Sequence, residues 1–263
     1  MGRKKDEKKQ RKRLEKGGAQ SEAEFLAAYD PSRFERPSLT VDVVLLSAQD
    51  GALSTLLLRR DEHPDKGRWS LPGGFVQMAE SLDDAAARVL AQKTGLSSVF
   101  LEQLYTFGAP RRDPRTRVVT VAYYALVDRR RFDAARGARD GAEVRVARVD
   151  VGWEGETGGP VDLIAGDERL ATAFDHADIV GMAVKRIRGK LDYTPIGFQL
   201  LPPTFTLLEL QRVHKTVLGR PLNKDSFRRR MLASGDLSAT GEAQKDVDHR
   251  PAELYRLARR SAV

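Results

Sequence analysis

Apolar residues follow two different rhythms along this chain. The runs TVDVVLLS (40–47) and TLLLRR (55–60) are short and apolar, and the AQDGAL between them carries an Asp50-Gly51 pair. Such runs around Asp-Gly predict two antiparallel strands joined by a tight hairpin. VFLEQLYTF (99–107) and RVVTVAYYALV (117–127) predict two more strands, separated by the Gly, Pro and Asp turn chemistry of GAPRRDPRT. Between these pairs the spacing changes to three and four. Leu82, Ala85, Ala86, Val89 and Leu90 predict the buried stripe of a helix from Ser81 to Thr94. Asp83 and Asp84 suit the positive end of its dipole, and Gly95 suits its C-terminal cap.

The helical rhythm returns from about Phe174 to Arg188, where Asp175 of AFDHA is placed to cap the helix, and ends at LDYTPIGFQLLPPTFT. Pro195, Pro202 and Pro203 remove helix-compatible donors there, so a domain boundary is expected near residue 203. Beyond it, FTLLELQRVHKTVLGRPLNKDSFRRRML contains two helical patterns. The first has the stripe Leu207, Leu210, Val213, Val217 and Leu218 and stops at Gly219. The second starts at Asn223, a good N-cap, and is expected to bury Phe227, Met231 and Leu232. LSATGE and AELYRLARR predict two short strands around the charged loop AQKDVDHRP. The Gly- and charge-rich stretch at 137–160 receives no assignment from its pattern.

Composition narrows the class. With 263 residues, 41 % hydrophobic and 31 % charged, the expectation is a soluble globular protein of two domains. The absence of cysteine excludes disulfides and thiolate metal sites, and no apolar run approaches the roughly 20 residues of a membrane span. With no apolar signal core at the N-terminus, the cytoplasm is the expected compartment. The net charge of +8 is unevenly placed: residues 1–20 hold nine Lys/Arg against three acids, and residues 205–263 hold twelve against seven, leaving a mildly acidic middle. Basic ends suit a polyanionic partner. MGRKKDEKKQRKRLEK is then either a solubilising tail or an arm lying on nucleic-acid phosphates.

The sequence LPGGF, then Glu80, Arg88 and Gly95-Leu96 at fixed spacing, resembles the Nudix box, a loop, helix and loop set on a mixed sheet. The resemblance covers residues from about 38 to 190. The chemistry of that box depends on acidic residues on one helical face, which hold Mg²⁺ or Mn²⁺ against a diphosphate. Here the three expected glutamates are Val89, Gln92 and Lys93, and of the acidic set Glu80 remains. No catalytic residue and no metal ligand are therefore expected. The frame suits binding of a nucleotide diphosphate without cleavage. Candidate contacts are Arg59, Arg60, Arg68, Gly73, Gly74, Phe75, Glu80 and Phe107, together with Arg115 and Arg117 of the RRDPRTR loop (111–117) and His176. Trp69, Phe75 and Phe107 are candidates for stacking on a base, each also at home in a core.

The two C-terminal helices and strands have the pattern of a winged helix-turn-helix. Candidate DNA contacts are Arg212, Asn223, Lys224, Ser226, Arg228, Arg229 and Arg230, with Lys245 and Arg250 near the tip of the wing. Together, LPGGFVQMAE, AFDHA, the helix pair and RPAELYRL resemble the NrtR family, the Nudix-related transcriptional regulators of NAD metabolism. That resemblance implies an α/β chain with a Nudix-like effector-sensing domain (38–203) and a winged helix-turn-helix domain (204–263); the basic arm (1–37) precedes them and lies outside the resemblance. It further implies a homodimeric repressor that binds double-stranded operator DNA. ADP-ribose or a related NAD-derived nucleotide would release it, with no cofactor required. Two alternatives remain at this point: an active Nudix pyrophosphatase with an appended nucleic-acid-binding domain, and an RNA-binding or scaffold protein that leaves the cleft unused.

Overall fold

The computed structural model describes residues 21–135, 143–245 and 250–258. The basic run at 1–20, to which the tail-or-arm reading applies, lies outside them. Residues up to Arg36 form a unit of their own. It holds helix α1 (Glu22–Ala28), whose Ser21 and Glu24 form a reciprocal capping box, and a 3-10 turn at Pro31–Arg33.

The second unit begins with the hairpin of β1 (Ser38–Gln49) and β2 (Ala52–Arg59). Asp50 at φ 47° and Gly51 at φ 82° give the two positive φ values that a tight two-residue hairpin demands. β3 (Trp69–Ser70) pairs with β2, and β4 (Gly73–Phe75) pairs with β1. β5 (Phe100–Phe107) and β6 (Val118–Leu126) add the far edge, and β6 runs parallel to β1 with Ser38 opposite Val118 through Leu46 opposite Leu126. The stretch left unassigned by its pattern contains β7 (Val144–Asp150), which pairs with β2, and beyond it come β8 (Asp162–Ala165) and β9 (Glu168–Arg169). Among the described residues the main path of the sheet is β5-β6-β1-β2-β7-β8-β9.

The pleat decides what each face carries. Val41, Val43 and Leu45 of β1 join Val121, Tyr123 and Ala125 of β6 under helix α2 (Leu82–Thr94), against its Ala85, Ala86, Val89 and Leu90. Ser81 caps that helix at the Asp84 N–H, and Gly95 closes it at φ 71°. After α3 (Arg129–Ala135), helix α4 (His176–Lys190) covers the opposite face, where Ile179, Val180, Ala183, Val184 and Ile187 meet Val44, Leu46 and Tyr124. Asp175 occupies the N-cap position of α4 but makes no side-chain cap, because Arg112 takes its carboxylate.

That second core does not stop at the prolines. It continues through Ile196, Phe198 and Phe205 into α5 (Leu207–Leu218) and α6 (Lys224–Ala233), taking in Leu210, Val213, Val217 and Phe227. β10 (Leu237–Ala243) and β11 (Glu253–Leu257) form the wing, tied to the core by the pairing of Tyr255 with Phe205. The expected burial along α6 needs correction. Phe227 is buried, but Met231 is half-buried and Leu232 is 46 % exposed, because the short helix meets α5 along a single seam.

His214 of α5 sits in that seam, 2 % exposed, edge-on to Phe227 at 5.0 Å and with neither ring nitrogen hydrogen-bonded. Burial, and then the Arg230 charge, lower its pKa to about 4. The folded value lies below the unfolded one, so the unfolded chain takes up the proton first and stability falls as pH drops from about 6.5 toward 4. Between pH 7 and 5 this group alone should account for about 2 kcal/mol of lost stability. Urea titrations at both pH values should show that much less pH dependence in His214→Leu than in the wild type.

Candidate functional site

The cleft lies where β1, β2 and β4 meet the 111–117 loop and the start of α4, and has a volume of about 340 Å³. Its floor is a buried charge network. Arg112, with a side chain 4 % exposed, donates two hydrogen bonds to Asp175 at 2.6 and 2.9 Å and lies 3.7 Å from Asp42. Burial works against the Arg112 charge, but Asp175, Asp42 and Asp113 outweigh it and hold the guanidinium above its usual range. The Thr120 hydroxyl donates to Asp42 at 2.7 Å. His176 is buried beside them, and its Nδ1 accepts the Leu71 N–H at 2.9 Å, which leaves the proton on Nε2 facing Asp42 at 3.7 Å. Desolvation depresses its pKa, so the ring is neutral. Gly73 is required above this floor: a Cβ there would sit 2.2 Å from Asp42 Oδ1.

The residues singled out from the sequence divide into two groups. Arg59, Arg60, Gly73, Gly74, Phe75, Arg115 and His176 line the cleft. Arg59 is paired with Glu143 at 2.8 Å, Arg60 donates to the Pro64 carbonyl and covers the Phe174 ring at 4.8 Å, and Arg115 chelates Asp113 beside Phe75. Arg68, Glu80, Phe107 and Arg117 do not line it. Arg68 reaches Asp65 and the Thr172 carbonyl, Arg117 donates to the Ala109 carbonyl, and Phe107 packs edge-on against Tyr105 at 5.3 Å. Trp69 is buried under Arg145. Sequence reading missed Asp42, Asp113 and Phe174, and quoted Arg112 only within its loop. A lone acid inside the apolar run TVDVVLLS was the available signal for Asp42. Phe174, at φ 50°, had none.

The winged helix presents a different surface. Asn223 is engaged as a cap, its side chain accepting the Ser226 N–H at 2.9 Å. Lys224, Ser226, Arg228 and Arg229 are exposed, and Arg228 and Arg229 make no ion pair among the described residues. Arg230 turns back instead, pairing with Asp192 at 2.9 Å and lying over Phe227. Arg212 lines a separate groove with Arg129 and the Asp50-Gly51 turn, apart from α6. Lys245 and Arg250 are exposed, and residues 246–249 between them lie outside the described residues.

Comparison with known proteins joins the two surfaces. The NUDIX domain family matches residues 36–154, and the NrtR DNA-binding winged helix domain family matches residues 197–257. The ADPR responsive transcriptional repressor NtrR of Acinetobacter baylyi is 38 % identical over 240 residues, which is 90 % of this chain and 89 % of that one. The chain belongs to the NrtR family. Its fold is similar to that of Shewanella oneidensis NrtR complexed with a 27mer DNA, with 35 % identity and a TM-score of 0.68 over 83 % of this chain and 93 % of the other. It is also similar to a MutT/nudix family protein of Enterococcus faecalis, with 30 % identity and a TM-score of 0.73 over 90 % and 93 % of the two chains.

A Nudix fold implies a divalent cation, and the box of this NrtR chain does not fit one. Val89 is buried in the core under α2, Lys93 lines the cleft, and Gln92 accepts from Arg88 at 3.3 Å. Glu80 chelates Arg88 at 2.6 and 2.8 Å and accepts the Gln77 N–H. Those bonds, the Arg88 contact first, hold its pKa down at about 2. The surviving carboxylate is a clamp on the loop. Among the described residues no cluster of three His, Cys, Asp or Glu is arranged to hold a metal.

The floor of the cleft makes a quantitative expectation. Removing Arg112 strands two largely buried carboxylates, Asp42 and Asp175, so Arg112→Met should cost about 3 to 5 kcal/mol in urea unfolding at pH 7.

Proposed function

We propose that this NrtR chain is a transcriptional repressor of NAD biosynthesis or salvage genes. It holds double-stranded operator DNA as a homodimer and releases it when ADP-ribose or a related NAD-derived nucleotide fills the cleft. The observation that carries the reading is an arginine-lined cleft without metal carboxylates, built on the same apolar core as a helix that exposes Arg228 and Arg229. Planar guanidinium groups suit a diphosphate, and exposed arginines on the second helix of a winged helix suit a duplex groove. The A. baylyi relative is named for both properties, response to ADPR and transcriptional repression. No helix among the described residues is long and apolar enough to cross a membrane.

In this reading the protein is not a hydrolase. The phosphate charge is met by Arg59, Arg60, Arg115 and backbone donors instead of a metal. ADP-ribose should therefore bind in EDTA as tightly as in Mg²⁺. Titration calorimetry checks this, and binding that vanishes on chelation would mean the box still takes a cation. Sustained release of AMP and ribose phosphate from ADP-ribose with Mg²⁺ or Mn²⁺ would overturn the reading in favour of a pyrophosphatase.

On the DNA side, Arg228→Ala and Arg229→Ala should each weaken binding to a selected duplex by about 1 to 3 kcal/mol if they read bases, relaxing specificity at the position read. The selected site should be near-palindromic, with half-sites about one helical turn apart or a multiple of it. Fluorescence anisotropy at moderate salt measures the first, and sequencing of recovered genomic DNA the second. Wild-type affinity in both variants would remove α6 as the reading helix.

A further inference from the structure

Among the described residues Arg188, near the end of α4, is a buried cation with no carboxylate beside it. It is 6 % exposed, and the acceptors it reaches among them are backbone carbonyls: Val217 at 2.9 Å, Gly155 at 3.0 Å and Trp153 at 3.2 Å. The Trp153 ring lies 4.8 Å from the guanidinium. The Val217 carbonyl belongs to the last turn of α5, the end of a helix that attracts positive charge. Gly219 closes α5 at φ 66°, and a Cβ there would come within 3.0 Å of the Arg188 Nη2. One side chain thus ties together three segments: α4, the 153–155 loop and the first helix of the DNA-binding module.

The loop itself is fastened along α4. A Cβ at Gly181 would lie 2.0 Å from the Gly159 carbonyl, and one at Gly189 would lie 2.7 Å from the Glu156 carboxylate. The Gly-rich stretch that has no role in its own pattern therefore fits into two notches of α4 and delivers two carbonyls to Arg188. At the other end of α4 stand Phe174, Asp175 and His176. Phe174 and His176 line the cleft, and Arg112 grips Asp175. At 1.5 Å per residue, His176 and Arg188 are about 18 Å apart along one helix.

We infer that α4 is the element that carries cleft occupancy to the DNA-binding module, and that Arg188 is the positioning residue through which it acts. This rests on the effector reading given above. A nucleotide diphosphate that draws Arg112 from Asp175 loosens the head of α4. The helix is rigid, so the shift appears at Arg188, whose bond to the Val217 carbonyl sets the position of α5 and hence of α6. The coupling is reciprocal, so DNA weakens nucleotide binding by the factor that nucleotide weakens DNA binding.

The test is a thermodynamic cycle on the full-length chain. The probes are ADP-ribose and the tightest duplex recovered by selection on the wild type. For the wild type, bound duplex should weaken ADP-ribose binding by about 5- to 150-fold. In Arg188→Gln that ratio should fall below about 3-fold, while the affinities for ADP-ribose alone and for duplex alone each stay within about 3-fold of the wild type. Arg188→Lys keeps the cation but not the planar fork that spans three carbonyls, and should retain a partial ratio. It also serves as the reporting variant if thermal melts show that the Gln variant does not fold. An undiminished ratio in a folded Gln or Lys variant overturns the role of Arg188. A wild-type ratio of one overturns the effector reading itself.

Discussion

The cleft depends on a buried positive charge shared between two carboxylates. Arg112 comes from a loop, Asp42 from β1 and Asp175 from the turn into α4, so one guanidinium fixes three parts of the chain that no backbone ladder joins. Leaving any of the three alone in that setting is costly, so the contacts form together. The rest of the cleft is arranged over this floor: Gly73 is bare because Asp42 lies beneath it, and His176 holds the WSLPGG turn through the Leu71 N–H.

The box above it keeps its loop-helix-loop shape with Val89, Gln92 and Lys93 in place of the carboxylates that hold a cation. Carboxylates that surround a cation repel each other when the cation is gone. Here that repulsion is absent, since a valine, an amide and an ammonium occupy the positions and the remaining glutamate is neutralised by Arg88. The loop carrying Gly73 to Phe75 is held by the same arginine through the Phe75 carbonyl at 3.1 Å. An internal ion pair between Arg88 and Glu80 holds the loop to the helix.

Much of this fold is written locally. The hairpin, α2 with its C-terminal cap, the α5–α6 pair and the wing follow from spacing, Asp-Gly, Asn and Gly, because those signals act within a few residues. β7 is harder to read, since Val and Arg alternate in a strand whose neighbours come from distant segments, and β8 and β9 are short enough to lack a rhythm of their own. The site is read less completely for a different reason. Arginine type alone does not distinguish a side chain that meets a ligand from one that meets a carbonyl. Arg68 is held by the Thr172 carbonyl across the fold, Arg117 by the Ala109 carbonyl at the other end of its own loop, and Arg230 by Asp192, partners that residue type does not reveal.

The apolar core that runs past the prolines into α5 and α6 bears on how this architecture can evolve. Many regulators are assembled from a sensor and a reader with separate interiors, so either half can be exchanged for another. Here Phe198, Phe205, Leu210 and Val217 belong to the same interior as Val44 and Ile179, and a reader transplanted elsewhere would leave that seam facing water. In the reading proposed above, a change of DNA target is thus confined to the exposed face of α6 and the wing. The interior ties the reader to its own sensor.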